Sequence, residues 1–183
     1  MQGADMHEPI DQLRRQLRHE GCPVFVSLSP PANEYLTGFH GTASAVIVTQ
    51  DRALFFCDFR YTEQAREQVR GCVVEEVQGT LETRVGERLE SMNVGRVGFD
   101  PGVVTVSQLE CLKESFSGAW IPLPELVTEL RSRKTPGEID KIRKSTQIAE
   151  AALEKTLRAL RAGLTEREFA AQLEFEFMRM GAQ

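Results

Sequence analysis

Short apolar runs alternate with helical segments between residue 8 and about residue 130, and this alternation limits the possible folds more than any other feature. The runs "TASAVIVT" and "ALFFCDF" are separated only by "QDR", which predicts an antiparallel hairpin. The remaining runs alternate with helices, as is typical of a layered α/β domain. We therefore predict a mixed β-sheet flanked by helices. The six strand-like runs begin at Cys22, Thr42, Ala53, Cys72, Gly95 and Ala119.

The segment "SPPANEYLTGFHG" interrupts this pattern after the first strand-like run. It is rich in Pro, Asn and Gly, which are the residues that favour turns. We interpret it as a loop or a short helical turn.

The chain changes character near Thr135, because no strand-like run follows this residue. Apolar residues there recur at steps of three and four, which predicts helices. Two capping boxes of the form T-x-x-E mark the helix starts. They are Thr135 with Glu138 and Thr165 with Glu168. We therefore predict two domains, 1–130 and 131–183, of which the second is a helical hairpin.

Each helix of this hairpin carries an apolar stripe that needs a surface to pack against. The stripes run from Ile139 to Leu160 and from Phe169 to Met180, and Gly163 is expected to end the first helix. Two helices alone cover only one side of each other. We expect the chain either to self-associate through the stripes or to fold the hairpin against the α/β domain.

The charge and composition favour a cytoplasmic protein that binds neither nucleic acid nor membrane. The 27 Asp and Glu residues outnumber the 22 Lys and Arg residues, which gives a net charge of -5. Nucleic acid and anionic membranes favour a basic surface instead. The sequence shows no signal peptide and no run of the roughly 20 apolar residues that a membrane helix needs. The cysteines lack CxxC spacing, so we interpret them as free thiols, buried where they lie in apolar runs. They are Cys22, Cys57, Cys72 and Cys111.

The sequence contains no motif of a self-contained catalytic site. It has no GxSxG, HExxH, P-loop or GxGxxG pattern, and His7, His19 and His40 lack the spacing of metal ligands. The acidic runs "VVEEV" and "EFEF" are interpreted as solvated faces. Asp58 precedes a polar helix and is expected to cap it or to pair with Arg60. We therefore predict no catalytic or metal-binding residue in this chain.

Four segments, in order, resemble the aminopeptidase P / prolidase / creatinase family. "NEYLTGFHG" is similar to the family pattern N-x-x-Y-L-T-G-F, and "DFRYTEQA" is similar to D-x-R-Y-x-x-Q-A. "LRSRKTPGEI" resembles L-R-x-x-K-x-x-x-E-I, and "GLTEREFA" resembles G-x-T-E-x-E-x-A. The structural motif positions of the first two patterns are Asn33, Tyr35, Gly38, Asp58, Arg60 and Tyr61.

The resemblance implies a metal-dependent peptidase that cleaves the bond before proline, either an Xaa-Pro aminopeptidase or an Xaa-Pro dipeptidase. In this family a creatinase-type N-terminal domain precedes a pita-bread catalytic domain that binds two divalent metals, usually manganese or cobalt. The family's metal ligands come later than Gln183, so this chain is expected to bind no metal and to be inert alone. The helical hairpin would form the first two helices of the pita-bread domain.

The same resemblance implies that the N-terminal domain helps to form a homodimer and narrows access for proline-containing peptides. The loop from Gly38 to Ser44 is the candidate for this access role because it offers Phe39 and His40. The opposing interpretation places Phe39 in the core, since aromatic residues beside sheets are usually buried.

Three alternatives stay open at this point. The same scaffold supports a creatinase-type amidinohydrolase, or a non-catalytic binding module that has lost the metal ligands. The third alternative is an unrelated α/β domain with chance motif matches. Sequence beyond Gln183 separates enzyme from binding module, because two Asp, one His and two Glu at the family spacing indicate an enzyme.

Overall fold

The computed structural model describes residues 8–182, which form two compact units divided between Ser132 and Arg133. The last helix of the first unit, Leu126–Ser132, continues past residue 130, where the sequence analysis places the domain boundary. His7 lies outside the described residues.

A six-stranded mixed sheet forms the centre of the first unit. The strands are β1 (Val24–Ser27), β2 (Ala45–Thr49), β3 (Ala53–Asp58), β4 (Val73–Val77), β5 (Arg96–Phe99) and β6 (Ala119–Pro122). Their order across the sheet is β4-β3-β2-β1-β5-β6. Strand β2 is antiparallel to both of its neighbours, and the other neighbouring pairs are parallel. The predicted strands and the predicted mixed sheet are confirmed.

The β2–β3 hairpin occupies the middle of the sheet, which explains its apolar composition. All residues of β2 and all but the last residue of β3 are buried. Strands covered on both faces are apolar along their whole length rather than at alternate positions. The register pairs Ala45 with Phe56, and in the turn the Thr49 N–H donates to the Arg52 carbonyl at 2.9 Å.

Helices cover both faces of this sheet. They are α1 (Glu8–His19), α2 (Pro30–Thr37), a 3-10 helix (Phe59–Tyr61), α3 (Thr62–Gln68), α4 (Leu81–Ser91), α5 (Val106–Ser115) and α6 (Leu126–Ser132). Buried side chains of α1, α2, α3 and α6 form one apolar cluster with the sheet. Buried side chains of α4 and α5 form a second cluster on the opposite face. The first unit therefore has a core on each side of its sheet.

Helix α2 occupies the segment after β1 that the sequence predicts to be a loop or a short helical turn, so the helical alternative is correct. The Ser29 hydroxyl caps the helix by accepting from the Ala32 N–H, and Pro30 occupies the first turn, where a missing N–H breaks no helical bond. Gly38 ends the helix in the left-handed region, with a φ of 77°. The proline and the glycine thus mark the two ends of a helix of eight residues.

Two glutamates that the sequence analysis assigns to solvated faces instead form partly buried ion pairs. Glu75 on β4 is 19% exposed and lies 3.2 Å from an Arg88 nitrogen and 3.7 Å from an Arg84 nitrogen. In the second unit, Glu176 is 12% exposed and lies 2.9 Å from the Lys155 ammonium. The prediction was wrong because in each case a basic partner comes from another element, α4 for Glu75 and α7 for Glu176.

All four cysteines are free thiols, but Cys72, which the sequence predicts to be buried with Cys22 and Cys57, is only half-buried. Cys22 and Cys57 are buried, whereas Cys72 and Cys111 are half-buried. Burial raises the pKa of the Cys72 thiol to about 12, so this thiol is protonated at neutral pH.

The second unit is a hairpin of α7 (Pro136–Leu157) and α8 (Glu166–Arg179). Both predicted capping boxes are present. The backbone N–H groups of Thr135 and Thr165 donate to the glutamates three residues later at 2.8 and 2.9 Å. Helix α7 ends at Leu157, earlier than expected, and Gly163 lies in the connection with a φ of 90°.

Large apolar side chains are exposed on both helices of the second unit and, at Leu160, in the connection between them. Their exposed fractions range from 38% for Ile139 to 67% for Met178, and the others are Ile142, Leu153, Leu157, Leu160 and Phe175. The predicted stripe of α8 is half-buried instead; it consists of Phe169, Leu173, Phe177 and Met180. None of the described helices is both long enough and apolar enough to span a bilayer.

Candidate functional site

The residues of the first two family patterns lie around the loop Gly38–Ser44, where β3 ends and β2 begins. Asn33 holds this loop in place from α2. Its buried side-chain amide donates to the Ser44 carbonyl at 2.9 Å and to the Ser44 hydroxyl at 3.0 Å. The Thr37 hydroxyl donates to the Asn33 carbonyl at 2.7 Å. Because a buried amide without partners is costly, these bonds fix the last residue of the loop against the helix that precedes it.

Phe39 belongs to the core of the first unit. Its side chain is 1% exposed, and its ring centroid lies 4.8 Å from that of Phe55 and 5.6 Å from that of Tyr61. A side chain at Gly41 would collide with the Phe39 ring, so the loop needs glycine there. The structure thus agrees with the interpretation that places Phe39 in the core. Of the two candidate access residues, His40 is the exposed one.

His40 is held by its backbone while its imidazole projects into solvent. The Gln64 side chain donates to the His40 carbonyl at 2.7 Å, and the His40 N–H donates to the Gln68 side chain at 3.1 Å. The imidazole is 84% exposed, and its Nδ1 lies 3.3 Å from a Glu34 carboxylate oxygen. Helix α3 therefore clamps the loop and presents the histidine in a defined position.

The D-x-R-Y motif closes the other side of the loop. The Asp58 carboxylate accepts from the Arg60 N–H at 2.9 Å and from the Arg60 guanidinium at 2.6 Å. These bonds hold the pKa of Asp58 below its ordinary value. Asp58 thus pairs with Arg60 as predicted, but the helix that it caps is the 3-10 helix Phe59–Tyr61 rather than α3. The Arg60 guanidinium lies 5.7 Å from the Tyr61 ring centroid, and the Tyr61 hydroxyl is 3.0 Å from that of Thr42.

Two further aromatic residues complete the arrangement. Tyr35, which the resemblance places in the first pattern, is half-buried, and its hydroxyl donates to the Gln12 side chain at 3.4 Å. Phe59 is 75% exposed and was not singled out from the sequence. The sequence signal that could have identified Phe59 is an aromatic residue at the variable position of D-x-R-Y, directly after the end of β3. We call the residues here the motif surface; it comprises the exposed His40, Thr42, Phe59 and Arg60 and the half-buried Tyr61.

The motif surface can bind and orient a partner molecule through an imidazole, a guanidinium and aromatic rings. Within residues 8–182, no three side chains of His, Cys, Asp or Glu converge on a point that a metal ion could occupy. The described residues thus do not fit a two-metal centre, and no catalytic step is assigned to them.

The fold and its motifs define the class of this protein. Residues 9–133 match the Creatinase/Prolidase N-terminal domain. The chain therefore belongs to the creatinase/prolidase family.

Individual relatives extend the similarity beyond this domain into the helical hairpin. The chain is 32% identical over 174 residues to the uncharacterized peptidase YqhT of Bacillus subtilis, and the match covers 94% of this chain and 49% of the relative. The structure of an Xaa-Pro dipeptidase from Bacillus anthracis superposes with a TM-score of 0.92 at 32% identity, over 98% of this chain and 50% of that chain. An X-Pro aminopeptidase from Thermotoga maritima gives 0.82 at 26% identity, over 95% and 50%. The chain spans about half the length of these relatives.

Proposed function

We propose that this chain is the N-terminal half of a metal-dependent Xaa-Pro peptidase that hydrolyses the bond before proline in peptides. The observation that supports this most is the match of 98% of the chain to half of the Bacillus anthracis Xaa-Pro dipeptidase at a TM-score of 0.92. The proposed peptidase is a cytoplasmic homodimer with two manganese or cobalt ions. Its metal ligands come from the half that this chain does not include, so the chain alone is inert.

In this proposal the second unit forms the beginning of the pita-bread catalytic domain. Its capped helices expose apolar side chains, among them Leu157 at 48%, Phe175 at 59% and Met178 at 67%. Apolar residues exposed in this number support a surface that is covered in the complete protein. The catalytic half is the partner that the relatives' length supports, since they are about twice as long as this chain.

The first unit contributes dimerisation and access to the active site. In the proposed homodimer, the motif surface of one subunit faces the peptide that enters the catalytic half of the other subunit. His40 makes the contact with this peptide. The support is structural: the His40 backbone is clamped by Gln64 and Gln68 while its imidazole is 84% exposed. Phe39 acts indirectly, because its buried ring supports the loop that carries His40.

A hybrid protein tests the peptidase function. Residues 1–183 replace the corresponding half of the Bacillus anthracis Xaa-Pro dipeptidase, and hydrolysis of an Xaa-Pro dipeptide is measured with manganese. The expected result is manganese-dependent turnover by a folded dimer, and no turnover by the 183-residue chain alone. A hybrid that folds and dimerises but does not cleave the peptide would contradict the proposal, as would turnover by the chain alone above a chelated control.

The access role is tested in the same hybrid by His40→Ala. We expect KM to rise severalfold with unchanged thermal stability, because the exposed imidazole makes no contribution to the core. The matched control is His19→Ala, which removes an exposed histidine at the end of α1 and is expected to leave KM unchanged. Equal KM values for the two variants would contradict the access role of His40.

A further inference from the structure

The two units of the chain carry net charges of opposite sign. Residues 1–132 contain 19 Asp and Glu residues and 12 Lys and Arg residues, which gives a net charge of -7. Residues 133–183 contain 8 Asp and Glu residues and 10 Lys and Arg residues, which gives a net charge of +2. Complementary charges favour association and fix the orientation of the partners. The second unit of one copy therefore complements the first unit of another copy.

A groove of about 380 Å³ lies on the second unit, between the N-terminal half of α7 and the end of α8. Half-buried Ile148 and Phe177 contribute to its apolar lining, and Lys141 and Lys144 contribute two ammonium groups. Among the described residues, no carboxylate forms an ion pair with either ammonium. The groove thus offers both an apolar surface and two cations to a partner.

The two lysines lie on the side of α7 that faces away from its exposed apolar stripe. A helix turns by about 100° per residue, so Lys141 and Lys144 lie opposite the exposed Ile139 and Ile142. In the proposed full-length peptidase, a catalytic half that covers Ile139 and Ile142 leaves both lysines accessible. They are therefore available to a second copy.

Helix α5 of the first unit presents a matching surface. Glu110 and Glu114 are exposed, and neither has an ion-pair partner in the part of the chain that the structure describes. Val106, one turn before Glu110, is 75% exposed. The spacing of four residues places these side chains on one side of the helix, together with Lys113, the single basic residue of α5. Along the helix axes the glutamates are about 6 Å apart and the groove lysines about 4.5 Å, so two ion pairs can form together.

We propose that the groove of one copy binds helix α5 of a second copy. Val106 packs against Ile148 and Phe177, and the two glutamates of α5 pair with the two lysines of the groove. In a two-fold symmetric dimer this contact forms twice, once in each direction. The inference deepens the proposed homodimer and rests on it. It does not depend on the proposed peptidase activity, because both surfaces belong to residues 1–183.

Charge reversal tests this contact in the 183-residue chain by sedimentation velocity. One variant carries Lys141→Glu with Lys144→Glu, and the other carries Glu110→Lys with Glu114→Lys. Each is expected to self-associate at least about tenfold more weakly than the unchanged chain, because each contact then joins like charges. An equimolar mixture of the two variants is expected to regain the affinity, since every contact between unlike copies again joins opposite charges.

The matched control reverses two exposed arginines outside the groove, Arg158→Glu with Arg161→Glu. It has the same net charge as the lysine variant and is expected to associate as the unchanged chain does. All replaced side chains are exposed, and circular dichroism checks that every variant keeps its helix content.

Two outcomes would overturn the proposal. The first is equal self-association of the unchanged chain and both charge-reversed variants, as expected if the apolar stripes alone drive association. The second is a mixture that associates no more strongly than either variant alone. Peptide turnover by the hybrid does not enter this measurement, so failure of the contact and failure of the peptidase function are observed separately.

Discussion

The first unit buries large side chains on both faces of its sheet, whereas the second unit leaves many of its large apolar side chains in solvent. Phe25 and Phe55 on one face and Phe56 on the other are at most 1% exposed. In the described helices of the second unit, only Ala152 and Thr156 are buried. The capping boxes of α7 and α8 are nevertheless as complete as that of α5. The local helix signals are therefore equally complete in both units, and the units differ in their tertiary packing.

This difference shows what helix signals can and cannot specify. Capping and periodicity determine where a helix begins and which side is apolar, but most of the stability of a protein helix comes from what covers that side. The second unit has helices without a complete core. That condition agrees with a chain that spans half the length of its relatives.

The largest expected difference between the units comes from truncating one apolar side chain in each. Phe55→Ala removes a fully buried ring that packs on Phe39, and we expect it to destabilise the first unit by about 3–5 kcal/mol. Leu153→Ala removes a side chain that is 42% exposed, and we expect a change within about 0.5 kcal/mol. Urea unfolding followed by Trp120 fluorescence, which reports the first unit, and by circular dichroism measures both effects. Similar losses for the two variants would contradict the comparison.

Replacing one glycine by alanine in each unit is expected to change stability by intermediate amounts, in opposite directions. In α4, a Cβ at Gly86 would lie 2.5 Å from the Ser115 Cβ and 3.1 Å from the Leu112 carbonyl oxygen. We expect Gly86→Ala to destabilise the first unit by about 1–3 kcal/mol, because α4 and α5 must separate. In α7, no atom lies within 4 Å of a Cβ at Gly137, so Gly137→Ala should stabilise the helix by up to about 1 kcal/mol.

Thermal unfolding followed by circular dichroism at 222 nm measures both glycine variants. Loss of stability in Gly137→Ala would mean that the start of α7 is packed more tightly than described. Gain of stability in Gly86→Ala would contradict the close approach of α4 and α5.

The smallest expected effect is a difference in the response of helix caps to acid. Hydrogen bonds from the Thr135 backbone N–H and hydroxyl hold the pKa of Glu138 below its ordinary value of 4.5. A lowered pKa in the folded state stabilises the helix above pH 4.5, and this contribution is lost as the pH falls through the lowered value. Helix α5 has Gln108 at the equivalent position, which does not titrate.

Amide ¹H–¹⁵N shifts of Thr135 and Thr105 between pH 6 and pH 2.5 measure this difference. Thr135 should titrate with a midpoint below 4.5, and Thr105 should not respond through its own cap. Glu138→Gln is the matched control, since glutamine also serves in a capping box and removes the titration. A midpoint at or above 4.5 for Thr135 would show that the Glu138 bond does not form in solution.

The sequence predicts the strands, the hairpin and the capping boxes because their signals are local. Pairs such as Asp58 with Arg60 are likewise close in sequence. Helix α2 was harder to predict, because proline and glycine occur in turns and also at the two ends of helices. Pro30 and Gly38 therefore fit both a loop and a short helix. Their meaning depends on Ser29, whose capping hydroxyl identifies the helix start.

The interactions that the sequence did not predict join residues of different helices, strands and loops. Glu75 pairs with Arg84 and Arg88 of α4 across the turn that follows β4. His40 is held by Gln64 and Gln68, which lie 24 and 28 residues away. Periodicity and propensity contain no information on such pairs, since side-chain partners are chosen by the fold. The clamp on the candidate site therefore emerged only from the three-dimensional arrangement.

Native-state hydrogen exchange tests most directly whether the second unit is stabilised by the proposed catalytic half. The amides of α7 and α8 are compared with those of β2 in the 183-residue chain and in the hybrid with the Bacillus anthracis dipeptidase. We predict that α7 and α8 exchange by local opening in the chain alone and gain at least about 100-fold protection in the hybrid, while β2 stays protected in both. Equal protection of α7, α8 and β2 in the chain alone would contradict the account.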